Sequence, residues 1–393
     1  RPEPMGDSLR ALAGDMEAGA VPRLLILDAN PVYDAPAGLR FAAALRRVPV
    51  SLHLGLHADE TALACTWHIP LRHPLESWGD SRAPDGTAAI RQPACVPKAE
   101  TARSVEEILA TLAGEAAEGD APVRATWPAL DDAAWRAALE RGVIPDSAPP
   151  PAAMSLPAPA GSPASTGLTA HFAPDPHLRD GRFATEAWLH ELPRPITKQV
   201  WGSAALVAPE DAARLGLRDG GLAVLRLDAR AVQAPVIVLP GQAPGVVTLP
   251  LGGGRLAAGA MEAGIGFDAN RLRGSASPHF ADGLEITPLP GDGGVIRAGW
   301  RHPADARDPP PARVVPPGTT IPPLPPQPSL YPDWAQPGRA WGMAIDLDAC
   351  IGCNACSLAC QAENNTPVVG PAEVARGREM HWLRVDLHAE PDG

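Results

Sequence analysis

Apolar residues along the chain come in short runs and short periodic stretches. Leu24 to Leu27 is an apolar run followed by the turn signal Asn30-Pro31, after which Leu39, Ala42, Ala43 and Leu45 recur at helical spacing. A second apolar stretch, Val48 to Leu56, completes a strand–helix–strand unit and predicts an α/β domain with a parallel sheet. Ser104-Val105-Glu106-Glu107 is a capping box with Val105, Ile108, Leu109 and Leu112 at helical spacing behind it, which predicts a helix packing one face on that sheet. Another helix is predicted from about Asp131 to Gly142, with an acidic start, Trp135 and Leu139 on one side, and a glycine stop.

The period changes further on. Ala208-Pro209-Glu210-Asp211 to Leu215-Gly216 reads as a short helix ended by glycine, with the turn Asp219-Gly220-Gly221 after it. Short β-rich runs follow around Leu222 to Leu227, Val232 to Leu239 and Val246 to Leu251, separated by Pro240-Gly241 and closed by Gly252-Gly253-Gly254. Several short strands with regular turns predict a small β-barrel. The triple glycine lacks the Lys-Ser/Thr ending of a phosphate-binding P-loop and reads as a turn. Trp341 to Leu347 alternates like a strand, and Glu379 to Asp386 reads as another on the far side of a cysteine-rich stretch.

Composition divides these patterns into units. From Ala148 to Ser165 the chain turns to Pro, Ala and Ser, a connector, and from Pro303 to Pro337 proline dominates. Such a stretch holds polyproline geometry and cannot pack a core, so it reads as a semi-rigid tether, with an SH3-type ligand as the alternative use. The expected organisation is an α/β domain over 1–147, a connector over 148–165, a β-barrel over 166–290, a Pro-rich tether over 291–338, and the start of an α+β ferredoxin-like domain over 339–393. A formal net charge of −12 without any Lys/Arg-rich block argues against a nucleic-acid partner. No apolar run approaches the roughly 18 to 20 residues needed to cross a bilayer.

The densest chemistry is Cys350-Ile351-Gly352-Cys353-Asn354-Ala355-Cys356-Ser357-Leu358-Ala359-Cys360, which holds four of the six cysteines. Its spacing, C-x2-C-x2-C-x3-C, is that of bacterial-type iron–sulfur sites. Three thiolates two residues apart share one tight loop whose N–H groups can point at a negatively charged cluster, and Gly352 relieves crowding there. If a helix starts at Cys356, Cys360 stacks one turn further on and is carried toward a second cluster. Zinc would want two separated pairs, and a disulfide between loop residues three apart bridges poorly. Cys350, Cys353 and Cys356 then need a fourth ligand from outside the run. Cys65 and Cys95 sit in stretches that read as ordinary core, so the missing cysteines are expected beyond Gly393. The chain starts at Arg1 without an initiator Met and stops soon after the run, and reads as an internal fragment. His53, His57, His68 and His73, with Glu76 or Asp80, could be imagined as a second metal set, but polar loop residues packed against tryptophans explain them as well.

Three stretches together resemble a known family. Asp59-Glu60-Thr61, Trp67-His68-Ile69-Pro70, Leu75-Glu76-Ser77-Trp78-Gly79-Asp80, Asp85-Gly86 and Gln92-Pro93 resemble the molybdopterin-oxidoreductase-like half of the large iron–sulfur subunit of alternative complex III. Asp180-Gly181-Arg182-Phe183, Trp188-Leu189, Glu191-Leu192-Pro193, Lys198, the block from Ala204 to Gly216 and Pro240-Gly241-Gln242 continue the likeness. Cys350 to Cys360, with Gln361-Ala362-Glu363-Asn364-Asn365 and Arg378-Glu379-Met380-His381-Trp382, is similar to the first cluster motif of that subunit's ferredoxin half.

The resemblance implies an electron-transfer subunit relaying electrons through [4Fe-4S] clusters. It would sit on the periplasmic face of the bacterial inner membrane, beside a quinol-binding integral membrane subunit and a multihaem cytochrome c. It also implies a double-psi barrel and no molybdenum. A catalytic molybdopterin-dependent oxidoreductase is the alternative, and a scaffold with a vestigial metal site a third. Fold likeness alone does not decide among them.

Overall fold

The computed structural model describes residues 5–150, 167–275, 278–301, 318–320, 330–331, 337–339 and 341–388. Most of the connector over 148–165 and most of the proline tether lie outside the described residues.

Helix α1 (Met5–Glu17) precedes strand β1 (Arg23–Leu27), the short helices α2 (Pro31–Asp34) and α3 (Phe41–Leu45), and β2 (Val50–Gly55); α4 (Glu60–Ala64) leads into β3 (Trp67–Pro70). The three strands form a parallel sheet in the order β1-β2-β3, as the strand–helix–strand pattern requires. The helical stretch between β1 and β2 is broken into pieces, because Pro36 stops α2 from continuing and Arg40 adopts a left-handed backbone with φ of 46°. Met16, Phe41, Ala44 and Leu45 close the core beneath.

Strands β4 (Gly79–Arg82) and β5 (Ala88–Arg91) form a hairpin, followed by α5 (Val105–Ala113), α6 (Ala121–Thr126) and α7 (Asp132–Arg141). The capping box is present: Ser104 Oγ accepts from Glu107 N at 3.1 Å, and Glu107 Oε2 accepts from Ser104 N at 2.8 Å. The expected docking of α5 on the sheet is not. Leu109 and Leu112 are exposed and Ala110 is the buried residue of the helix, because α5 packs on α6 and its first turn is held by the Arg72–Glu107 ion pair at 2.6 Å. Helix α7 follows the pattern, with Asp131 as its cap, Trp135 buried and Gly142 left-handed at its end.

The second unit begins with β6 (Leu168–Ala173), α8 (Ala187–Glu191), β7 (Gln199–Val200), β8 (Ala205–Val207) and α9 (Pro209–Leu215). Strands β9 (Gly221–Leu227), β10 (Arg230–Val238), β11 (Val246–Pro250) and β12 (Phe280–Asp292) complete it. Six of these strands close into a barrel in the order β10-β8-β11-β6-β12-β9. Burial alternates along β6 and β9, so one face of each strand supplies the interior: Phe172, Leu225, Val236 and Leu249 meet there. Gly252-Gly253-Gly254 is a packed turn. A side chain at Gly253 would meet Ser203 Oγ at 2.5 Å and Phe267 O at 2.8 Å, so a bare backbone is required.

The two units meet through polar contacts. Glu60 pairs with Arg255 at 2.8 Å and accepts from the backbone N–H groups of Leu256 and Ala257, while Tyr33 donates its hydroxyl to Gly253 O at 2.7 Å.

Past the barrel, β13 (Ile296–Arg297) pairs with β7, and β14 (Trp300–Arg301) pairs with β15 (Leu387–His388). Residues 291–301 therefore belong to the folded body, and the expected start of the tether at 291 is too early. Helices α10 (Ala355–Glu363) and α11 (Pro371–Val374) carry the C-terminal segment. Neither strand predicted there forms over its expected range. Trp341, Met343, Ile345 and Leu347 are all exposed in irregular backbone with no neighbouring strand among the described residues, and from Glu379 onward pairing begins only at Leu387. A sheet-forming alternation needs a partner edge, and the described residues offer none at 341–347.

Candidate metal centre

The cysteine run approaches its helix through two left-handed residues, Gly352 with φ of 66° and Asn354 with φ of 60°. The glycine takes that conformation without penalty, and asparagine is among the few side-chain residues that tolerate it. Asn354 is 2% exposed and donates its side-chain amide to Pro193 O at 2.6 Å, while the backbone at Gly352 lies over Pro195 O. The loop is thus seated on the turn that follows α8.

Helix α10 then divides its faces. Ser357 and Gln361, four apart, are buried, while Cys356 is exposed and Cys360 half-buried on a neighbouring stripe. The helix therefore keeps one stripe against the body and presents the cysteines beside it. Cys360 Sγ accepts from the Asn364 side-chain amide at 3.6 Å, the kind of donor that stabilises charge on a ligating sulfur. The helix begins at Ala355, one residue before the expected start, and carries Cys360 one turn beyond Cys356 as expected.

Glu191, 1% exposed at the end of α8, fixes the segment from behind. Its carboxylate accepts from Trp201 Nε1 at 3.0 Å and from the backbone N–H groups of Val369 at 3.2 Å and Gly370 at 2.9 Å. Trp188 Nε1 donates to Thr366 O at 2.8 Å, and Val374 packs with Val200, Trp201 and Ala298. A carboxylate with several donors is the satisfied form of a buried charge. None of these partners was marked as a site residue from sequence. Glu191 and Trp188 belong in sequence to stretches that resemble a family, and no local pattern couples them to residues about 180 positions away.

All six cysteines are free thiols, and Cys350, Cys353 and Cys356 are exposed. No group of three or more His, Cys, Asp or Glu among the described residues is arranged around a point that could hold a single metal ion. A cluster spreads its thiolates over several iron atoms rather than onto one, and the closely spaced free thiols Cys350, Cys353 and Cys356 at the left-handed loop are of the kind it takes, with Cys360 one helical turn beyond. The residues present fit such a group.

The histidine set does not assemble. His53 and His68 are neighbours across β2 and β3, with Nδ1 atoms 3.0 Å apart and rings stacked; burial, then the adjacent His53, pushes the His68 pKa down. His57 instead meets Thr185, and His73 caps its own turn by accepting from Leu75 N. Glu76 accepts from His73 N and Lys98 N, and Asp80 accepts from Trp127 Nε1. Each group already has a structural partner. Cys65 is half-buried against the N-terminal core, where burial raises its thiol pKa, but Cys95 is exposed, contrary to its reading as core.

Known proteins bear on this geometry. No family profile matches the chain. It is 51% identical over 47 residues, 12% of its length, to the iron–sulfur cluster-binding subunit of menaquinone reductase from Nitratidesulfovibrio vulgaris. It is 35% identical over 74 residues, 19% of its length, to the molybdopterin-binding-like subunit of menaquinone reductase from the same organism. The chain spans 17% and 11% of the lengths of these two relatives. An arsenate respiratory reductase iron–sulfur subunit from Chrysiogenes arsenatis is 65% identical over 26 residues, which is 7% of this chain and 87% of that sequence. Among solved structures, acetylene hydratase from Pelobacter acetylenicus aligns over 62% of this chain and 39% of its own, at 13% identity and a TM-score of 0.43.

The relatives are all subunits of oxidoreductases. The matched stretches of this chain are similar to iron–sulfur cluster-binding subunits and, over a separate stretch, to a molybdopterin-binding-like subunit.

Proposed function

We propose that the chain is the electron-transfer iron–sulfur subunit of a membrane-associated quinol oxidoreductase of the alternative complex III type. Cys350, Cys353 and Cys356 hold one [4Fe-4S] cluster and Cys360 reaches a neighbouring one. The observation that carries this reading is the way the run is mounted. Asn354, Ser357, Thr366 and Gly370 are bound into the body while the three loop thiols face outward. A cluster bound there supplies one-electron uptake and release. The chain's own residues contribute fixed position: Glu191 and Trp188 clamp the segment, and Asn364 donates toward Cys360 sulfur.

The proposed partners are a quinol-binding integral membrane subunit and a multihaem cytochrome c, with the chain peripheral on the periplasmic face of the inner membrane. Relatives that are themselves subunits of menaquinone reductase support a multi-subunit setting. Among the described residues no helix is long and apolar enough to cross a membrane.

The likeness to a molybdopterin-binding-like subunit favours a second reading, a catalytic molybdopterin-dependent enzyme, and runs against the expected lack of molybdenum. The cysteine run mounted on the body favours the relay. Metal and sulfide analysis of the intact protein, purified anaerobically, separates the two. Iron and sulfide without molybdenum is the expected result. Stoichiometric molybdenum supports the enzyme, and a colourless, iron-free protein overturns the relay.

A further inference from the structure

The turn that seats the cysteine loop also carries a buried cation. Lys198 is 1% exposed and left-handed, with φ of 54°, and its backbone is held at both ends: its N–H donates to Arg194 O at 3.2 Å and its carbonyl accepts from Ala298 N at 2.9 Å. The next residues, Gln199 and Val200, are locked in register with Arg297 and Ile296. Pro193 and Pro195, on the same turn, are the residues that receive Asn354 and underlie Gly352. Asp386 approaches from the far side, its carboxylate 2.7 Å from where a side chain on Gly299 would begin.

Among the described residues no carboxylate lies within ion-pair distance of the Lys198 ammonium. Burial pushes its pKa down, opposed first by Asp386 and then by Cys350; the geometry that brings the cation to the cysteine loop is the turn they share, with Asn354 bound to Pro193 O and Gly352 over Pro195 O. A buried cation without a close counter-charge costs stability, and a negatively charged group nearby offsets that cost.

We propose that the buried ammonium of Lys198 is the electrostatic partner of the iron–sulfur centre bound through Cys350 and sets its reduction potential. The inference rests on the ligand assignment above. One-electron reduction adds one negative charge to the centre, and a fixed cation beside it favours the reduced form. Net charge and burial are established determinants of cluster potential. Lys198 touches no reacting atom and is a positioning residue of electrostatic kind.

The test uses the full protein, purified anaerobically as wild type, Lys198→Met and Lys198→Arg. Each is titrated with dithionite while following the paramagnetic signal that Cys353→Ala removes. Lys198→Met is expected to shift the reduction equilibrium of that centre at least tenfold toward the oxidised form, about 59 mV for a one-electron couple. Lys198→Arg retains the wild-type value. In protein stripped of iron the order reverses, Lys198→Met melting above wild type because the unpaired charge is gone. An iron-loaded Lys198→Met with unaltered potential overturns the assignment. So does equal loss of iron from both variants, which marks a packing role, whereas loss from Lys198→Met with retention in Lys198→Arg supports the charge. An iron-free wild type overturns the ligand assignment itself.

Discussion

The barrel and the cysteine segment are held in opposite ways. The barrel closes on its own interior, where Phe172, Leu225, Val236 and Leu249 meet from different strands and every central strand has two neighbours. The cysteine segment has little interior of its own. Its buried side chains, Asn354, Ser357, Gln361 and Thr366, are polar, and its hold on the body runs through Asn354, Trp188 and Glu191 and a small apolar seam at Val374. A core tolerates loss of any one contact because the burden is shared, whereas a mounted segment depends on a few satisfied polar groups whose loss leaves buried donors unpaired. The thiols lie outside both kinds of support, and their chemistry is therefore separable from folding.

That separation predicts the largest effect. Cys353→Ala should remove one iron–sulfur centre from the complete subunit, read as lost iron and a lost spectroscopic signal, while the melting profile of the barrel stays as in wild type. Cys65→Ala, at a half-buried thiol packed on the N-terminal core, should leave the iron content unchanged. Dependence of iron on Cys65 would show that the ligand set is misassigned.

Next in size are two losses of similar cost and different reach. Leu225→Ala, deep in the barrel, should cost about 3 kcal/mol and lower the melting of the whole barrel. Glu191→Ala strands the indole of Trp201 and the N–H groups of Val369 and Gly370, and should also cost about 3 kcal/mol. Its effect should be local: limited proteolysis should cut between residues 364 and 388 under conditions where the barrel survives. Cleavage spread equally over both regions would break the distinction.

A smaller effect belongs to the joint between the α/β unit and the barrel. Burial, with Asp180 adding to it, pushes the Asp34 carboxyl up to about 6, against the opposing pull of Arg273. An acid whose folded pKa lies above its unfolded value destabilises when ionised, so the cost is fully present at pH 7 and fades as pH falls through 6 toward about 4. Asp34→Asn should therefore raise stability at pH 7 by about 1–2 kcal/mol and give roughly a third of that gain at pH 4.5, as measured by denaturant unfolding at the two values. A gain independent of pH would place the benefit in packing instead. Glu60 behaves in the opposite sense: burial would raise its pKa, but hydrogen bonds from Arg255, Ala257 and Asn30 pull it to about 2, so its contribution is present above about 4.5 and lost as pH falls through 2.

What the sequence disclosed follows how local each cause is. The capping box at Ser104, the glycine stops at Gly142 and Gly216 and the alternation of the barrel strands are satisfied within a few residues, and all were readable. So was the cysteine spacing, because cluster chemistry imposes it within one loop. Strand β3 was hidden in Trp67-His68-Ile69-Pro70, where the histidine suggested a loop, although His68, Ile69 and Pro70 are half-buried beside β2. The alternation of β6, with Phe172 inward, is itself a local pattern. Glu191 and Lys198 could not be assigned roles from local pattern, since their partners are distant in the chain and only the folded body brings them together. The same limit explains α5: its leucines have helical spacing, but which stripe faces inward depends on α6.

The smallest predicted effect probes the one place where local pattern and structure part most sharply. Trp341, Met343, Ile345 and Leu347 alternate as a strand should, yet Trp341 is 97% exposed and has no strand beside it among the described residues. Apolar area that is not removed from water contributes nothing to folding, and surface substitutions away from special features stay within about 0.5 kcal/mol. Trp341→Ser should therefore leave the unfolding midpoint of this chain unchanged. A loss above about 1 kcal/mol would mean that the indole is packed in solution. The alternating stretch would then be a strand that has found an edge, and the cysteine segment would share the barrel's way of being held.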